Sequence, residues 1–221
     1  MEQSQHLCRL CPRNCGVDRS RQTGFCKAGD KVKLARAALH FWEEPCISGE
    51  EGSGTVFFSG CPLQCVFCQN HQISAECYGK EISIERLAEI FLELQNQGAN
   101  NINLVTGGHF VPQIIQALDM VRRDLKIPVV YNSSGYETVE TLRMLKGYVD
   151  IYLPDIKYFS PERSRRYSHA PDYFEVASKA VQEMFSQVGA VEFDERGMLT
   201  KGVIVRHMVM PNGVEDSMDI L

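Results

Sequence analysis

Long apolar runs, basic clusters and tryptophan are what this chain of 221 residues has least of. No stretch approaches the roughly 20 consecutive apolar residues that span a bilayer, so a helical membrane segment is not expected. The formal net charge is −5, which gives no electrostatic case for a nucleic-acid partner. The opening residues, MEQSQHLCRLC, lack the basic and apolar regions of an export signal, so a cytoplasmic protein without a membrane partner is expected. No Walker loop, GxGxxG or HExxH occurs, which leaves nucleoside triphosphates, nicotinamide cofactors and zinc-protease chemistry without support. What remains is ordinary for a globular protein: 44% hydrophobic and 23% charged residues, enough for one sizeable core plus a small appendage.

Cysteine is what the chain has in excess. There are nine, and seven fall in two tight groups, Cys8, Cys11, Cys15 and Cys26, then Cys61, Cys65 and Cys68. Without an export signal such groups point to metal binding or redox chemistry rather than disulfides. Cys46 and Cys77 stand apart and read as buried or idle thiols. The second group lies in TVFFSGCPLQCVFCQNH, spaced C-x3-C-x2-C after the apolar run 55–58. That run reads as a buried strand closed by Gly60 and Pro62, so the thiols sit on the loop leaving a strand's C-terminal end. In α/β folds this edge collects chemistry. A structural zinc site closes with four ligands, and an ordinary [4Fe–4S] cluster uses four cysteines. Three thiolates without an evident fourth leave one iron free, the competing readings being a zinc knuckle or a redox-active thiol pair. The first group, C-x2-C-x3-C-x10-C, is poor in apolar residues and reads as a segment that a metal orders. Zinc, a second iron–sulfur cluster and free thiols all remain open for it.

Residues 31–45 read as a strand or short helix joining this cysteine-rich arm to the core, with Phe41 and Trp42 as packing residues. The glycine- and serine-rich residues 47–54 mark the boundary, giving an arm over 1–54 and a core over 55–221. Beyond it, helices are expected at 83–97, capped by Ser83 and stopped by Gly98, at 111–125, at 138–146, and over 161–188 with a break near Ala170-Pro171. Strands are expected at 101–108, 128–134, 149–156 and 202–210. With the strand at Thr55 this makes five strands alternating with helices, hence parallel pairing through right-handed crossovers. The chain then stops in what reads as the first turns of a helix. A fold shortened after strand five would leave that strand, with Val203, Ile204, Val205 and Val209, as an unpaired edge.

Candidate ligand residues lie at the strand ends. Thr106, Gly107 and Gly108 follow the second strand, with a plain turn as the alternative. Asn132, Ser133 and Ser134 follow the third, with Gly135 giving a bend; a simple Asx or Ser turn competes there. Asp155 and Lys157 share one face after the fourth, placed to bind a ligand's amine and carboxylate or to pair with each other. Arg206 suits bidentate recognition of a carboxylate, and His207 points away from it.

The segments CRLCPRNCGV, EEPCISG, GSGTVFFSGCPLQCVFCQN, NLVTGGHFVPQI, YNSSGYE, LPDIKY and VRHMVMP together resemble the radical S-adenosylmethionine (radical SAM) superfamily, and within it the proteins similar to pyruvate formate-lyase-activating enzymes. The resemblance implies a partial (β/α)6 barrel, here apparently truncated after strand five, with an N-terminal cysteine-rich arm. It implies a [4Fe–4S] cluster on Cys61, Cys65 and Cys68, and S-adenosylmethionine on the open iron. Thr106, Gly107, Gly108, Asn132, Ser133, Ser134, Asp155, Lys157 and Arg206 would bind that cofactor. His109 stands where the family's Gly-Gly-Glu segment has its acid, and Asn132 where the activating enzymes have Asp. The implied activity is oxidoreductive cleavage of S-adenosylmethionine to a 5′-deoxyadenosyl radical that abstracts hydrogen, as in a [formate-C-acetyltransferase]-activating enzyme. The implied partners are a flavodoxin or ferredoxin and a glycyl-radical enzyme. A small-molecule or other peptide substrate, and a non-catalytic metal protein, are the alternatives.

Overall fold

The computed structural model describes residues 7–221. Its frame is one sheet of eight strands in the order β3-β1-β2-β4-β5-β6-β8-β7. Five of them, β2 (Ser53–Phe58), β4 (Ile102–Val105), β5 (Val129–Ser133), β6 (Ile151–Pro154) and β8 (Leu199–Val203), run parallel. Two single-turn helices, α1 (Pro45–Ser48) and α2 (His71–Ser74), flank β2 and its cysteine loop. Helices α3 (Ile84–Asn96), α4 (Val111–Val121), α5 (Val139–Met144) and the pair α6 (Pro161–Ser168) and α7 (Tyr173–Val188) make the crossovers. This is a mixed α/β fold with an open, partial barrel, as the alternation of patterns implies.

The local chemistry explains the helix ends. Ser83 Oγ accepts the Arg86 N–H at 3.2 Å and starts α3, and Thr138 Oγ1 accepts the Thr141 N–H at 3.2 Å and starts α5. Leu87, Ala88, Phe91 and Leu94 recur at helical spacing on the buried face of α3. The break between α6 and α7 falls at residues 169–172, where His169 takes a left-handed conformation (φ 53°).

Period-2 alternation then sorts the strand residues. Val129 and Tyr131 face the helices, in the large core with Phe58, Phe91, Leu104 and Tyr152. Val130, Ile151 and Leu153 face the opposite side, where they meet Ile47 and Leu199 in a smaller apolar cluster. The same parity carries Asn132 and Asp155 to that inner side at the C-terminal ends of β5 and β6. Position, not composition, makes them neighbours.

Of the two readings for residues 31–45, the strand holds: β1 (Lys33–His40) pairs antiparallel with β2 along its length, and the short β3 (Lys80–Glu81) covers its outer edge. Its partner β2 begins inside the glycine-rich connector. Three other expectations are corrected. The fifth parallel strand lies at Leu199–Val203 rather than 202–210, because Pro154 at the end of β6 has no N–H to donate to the ladder. Only the bridge between Asp155 and Arg206 continues the pairing. Nor is that strand a bare edge: β7 (Glu192–Phe193) pairs antiparallel with it. Finally Trp42 is 89% exposed and Phe41 is exposed, so neither is a core residue. The turn after β1 directs Glu43 and Glu44 inward to Arg206 and leaves the tryptophan outside.

The register of the fifth strand is open to test. Leu199→Ala should cost about 3 kcal/mol in urea unfolding, because Leu199 is buried inside β8. Val209→Ala should stay within about 0.5 kcal/mol, because Val209 is exposed and outside the strand. Equal costs would contradict the register.

Candidate active site

A cavity of ≈ 600 Å³ opens at the C-terminal ends of the parallel strands. One wall is the loop after β2, with Cys61, Cys65 and Cys68; no fourth cysteine lines it. The opposite wall is built from strand ends: Thr106 after β4, Asn132, Ser133 and Ser134 at β5, Asp155 and Lys157 after β6, and Arg206 after β8. Residues spread over 145 positions of sequence thus face one space, because parallel strands all end on the same side.

The cysteine loop is fixed from several directions. Gly60 (φ 88°) turns the chain out of β2, and a β-carbon there would collide with the Cys26 carbonyl of the arm. The Leu63 N–H donates to Cys61 Sγ at 3.4 Å, and the Ser168 hydroxyl donates to Cys65 Sγ at 2.9 Å. Val66 N–H donates to the Tyr167 carbonyl, which straps the loop to α6. Behind it lie Tyr158, Tyr173 and Tyr136, packed ring on ring. Burial pushes the Cys61 thiol up to about 12, against the backbone N–H groups of Gln64 and Leu63 that pull it down. All three thiols are free of disulfides. No three His, Cys, Asp or Glu side chains among the described residues converge closely enough to hold a single metal ion. A polynuclear cluster binds each cysteine through a different iron and so spaces its ligands more widely than a single ion does. The unpaired thiols, their sulfur-directed donors and the absence of a fourth cysteine fit a [4Fe–4S] cluster with an open iron.

The polar wall is held together by charge. Lys157 Nζ meets Asp155 Oδ2 at 2.5 Å, and Arg206 Nε meets Asp155 Oδ1 at 3.0 Å. Arg206 also donates to Asn132 Oδ1 at 2.6 Å and to Glu43 Oε2 at 3.4 Å, with Glu44 3.8 Å away. Burial pulls Lys157 down, but the Asp155 carboxylate more than offsets it and holds the ammonium above its usual range. Burial pushes Glu43 up to about 7, Arg206 opposes that, and Glu44 adds to it. Three carboxylates therefore compete for two cations in this corner.

The other candidates occupy supporting places. Ser133 Oγ accepts the Gly135 N–H at 3.0 Å, which is the turn geometry. The Tyr173 hydroxyl donates to the carbonyls of Ser134 and Asp155, at 2.7 and 2.9 Å, and accepts the Lys157 N–H, fastening the ends of β5 and β6 together. Gly107 and Gly108 do not line the cavity. β-Carbons on them would meet Ile114 and Glu137, so the pair is required by packing beneath the wall. His109 is buried with Nε2 2.8 Å from the Ser59 carbonyl. Burial lowers it to about 4, so it is neutral and supplies no acid in place of the family's. His207 has both ring nitrogens engaged, by the Ile156 carbonyl at 2.6 Å and Ser217 Oγ at 2.8 Å. Thr106 is a β-branched residue at φ 58°, a strained conformation of the kind that gathers at ligand sites. The thiols Cys8, Cys11, Cys15 and Cys26 lie outside this cavity. Sequence reading missed Glu43, Glu44 and Ser168. Glu43 and Glu44 open the segment EEPCISG, which carries part of the resemblance, but nothing local shows that they reach Arg206, and nothing local links Ser168 to Cys65.

A family model described as the radical SAM superfamily matches residues 55–191, more than half of the chain. An uncharacterized protein of Methanocaldococcus jannaschii is 33% identical over 218 residues, which cover 94% of this chain and 58% of that relative. The chain therefore spans well under two thirds of the relative's length.

Two buried acids predict a pH dependence. Glu137 lies under Gly108, and burial raises it to about 7, with Ser133 and Tyr131 offsetting only part of the effect. A raised carboxyl keeps its proton longer in the folded state, so stability falls as pH rises from about 4.5 to about 7 and stays reduced above that. Glu43 acts in the same direction. Glu137→Gln should flatten part of this slope and gain up to about 3 kcal/mol at pH 8 by urea unfolding. An unchanged slope would contradict the assignment.

Proposed function

Because the chain belongs to the radical SAM superfamily, whose cofactors are a [4Fe–4S] cluster and S-adenosylmethionine, we propose that it cleaves S-adenosylmethionine reductively in the cavity at the strand ends. The observation that carries this reading is the composition of that cavity: three thiols and no fourth on one wall, and paired charges on the other. The bound cluster would supply one electron to the sulfonium, releasing a 5′-deoxyadenosyl radical that takes a hydrogen atom from the substrate.

The chain's own residues position and shield. Cys61, Cys65 and Cys68 would hold three irons of the cluster, with no fourth cysteine in the cavity for the remaining one. The Leu63 N–H and the Ser168 hydroxyl, directed at two of the sulfurs, would tune its potential. The carboxylates of Asp155 and Glu43 suit the amine of S-adenosylmethionine, and the Arg206 guanidinium suits its carboxylate. Thr106, Asn132, Ser133 and Ser134 offer polar atoms to the remaining face. The tyrosines behind the loop keep water from that side.

For the substrate, the segments from CRLCPRNCGV to VRHMVMP favour activation of a glycyl-radical enzyme, with hydrogen taken from a backbone glycine of the partner as in pyruvate formate-lyase-activating enzymes. A flavodoxin or ferredoxin would supply the electron, in the cytoplasm. Among the described residues no helix is long and apolar enough to cross a membrane. A second reading, a small acidic substrate, is favoured by Arg36 and His40 of β1, which also line the cavity.

The test is anaerobic reconstitution followed by dithionite-driven turnover. Wild type should form 5′-deoxyadenosine, and Cys65→Ala should fall to background. Arg206→Lys should raise the S-adenosylmethionine concentration for half-maximal rate by about tenfold, the loss expected for one charged hydrogen bond. Full activity in Cys65→Ala would sink the cleavage reading. Deoxyadenosine without an EPR-detectable glycyl radical on the partner would sink only the activating role.

A further inference from the structure

The arm's four thiols form a second group, built separately from the cavity. Cys11 and Cys26 are buried and Cys8 and Cys15 half-buried, all without disulfides. The segment carrying them has no helix and only one isolated bridge, between Leu7 and Asp18. It folds through tight turns instead, with Asn14 (φ 42°) and Gly16 (φ 62°) in the left-handed region. The Asn14 N–H donates to the Cys11 carbonyl and the Gly16 N–H to the Cys8 carbonyl, both at 3.0 Å. Gly24 shows how near two of the sulfurs come: a β-carbon there would stand 3.4 Å from both Cys15 Sγ and Cys26 Sγ.

A buried cation completes the setting. Arg19 is only 9% exposed; its terminal nitrogens bond to the carbonyls of His109 and Gly29, and its Nε has no partner. The guanidinium also lies 5.2 Å from the Phe110 ring, but no carboxylate pairs with it among the described residues. Thiolates beside it would supply the anion that a buried cation calls for, and its charge acts on Cys26.

Position favours a cluster over a structural zinc ion. The arm packs on the loop that carries the core thiols, with the Cys26 carbonyl against Gly60, one residue before Cys61, so a redox-active centre on the arm would lie beside the core one.

We propose that Cys8, Cys11, Cys15 and Cys26 hold a second iron–sulfur cluster, docked against the loop that carries Cys61, Cys65 and Cys68. The docking is direct. The Cys26 carbonyl packs on Gly60, and the Gln64 side chain donates to the Phe25 carbonyl at 2.5 Å. Arg13 donates to the Pro62 carbonyl at 2.7 Å, with its guanidinium 4.2 Å from the Phe25 ring and 5.3 Å from that of Tyr136. The inference rests on the core reading, beside whose loop the arm is placed.

The experiment counts iron, zinc and sulfide after anaerobic reconstitution and records EPR spectra of the dithionite-reduced protein. Wild type should bind about eight irons, falling to about four in Cys8→Ser/Cys15→Ser, where the thiols are less buried. The wild-type spectrum should be broadened by coupling between two nearby clusters, and the variant's should be that of one. About four irons plus one zinc in wild type, or an iron count unchanged by the substitutions, would overturn the proposal. The triple core variant Cys61→Ser/Cys65→Ser/Cys68→Ser supplies an independent arm: about four irons retained supports the arm cluster, and none overturns it. Wild type with four irons that still forms 5′-deoxyadenosine sinks the arm cluster alone. Eight irons with no deoxyadenosine sinks the core activity alone.

Discussion

The guanidinium of Arg206 is the charge around which the mouth of the sheet is arranged. It reaches Asn132 at the end of β5, Asp155 after β6, and Glu43 and Glu44 at the turn after β1. Through Asp155 it also holds Lys157. These partners come from opposite ends of the chain, and the parallel strands alone would bring only some of them together. The network is half-buried, so removing one member would leave its partners' charge only partly compensated by water. The same network is the cavity's recognition surface. A ligand amine or carboxylate that enters must exchange partners with it, so stability and ligand affinity draw on one set of contacts.

The second constraint is mechanical. The loop with Cys61, Cys65 and Cys68 carries little secondary structure of its own, yet it is gripped on every side. Ser168 and the Tyr167 carbonyl hold it from α6, Arg13 and the Cys26 carbonyl hold it from the arm, and the stacked tyrosines support it from behind. A loop so braced can present sulfurs in a fixed arrangement before any metal arrives, which is what a preorganised site requires.

Much of the fold was legible because its determinants are local. The apolar run before Cys61, the Ser83 and Thr138 caps and the turn glycines each declare an element within a few residues. The strand-end placement of Asn132, Asp155 and Lys157 follows from alternation once the strands are known. What stayed hidden is non-local. β1 carries no marker that it will extend the sheet, and its edge pairing depends on β2 and β3. The end of β8 is set by Pro154 in a neighbouring strand, not by the Val-Ile run that suggested a longer one. Glu43 lies 163 positions from the arginine it meets. Gly107 and Gly108 read as an approach to a ligand, and that β-carbons on them would meet Ile114 and Glu137 is not visible in the sequence.

The chemistry proposed for the cavity requires that the core thiols leave one iron open to S-adenosylmethionine. EPR of the reduced, reconstituted protein with and without S-adenosylmethionine tests that most directly. Coordination by the cofactor's amine and carboxylate should shift the g-values of one cluster signal, and Cys61→Ala should remove that signal. A spectrum indifferent to S-adenosylmethionine would contradict it.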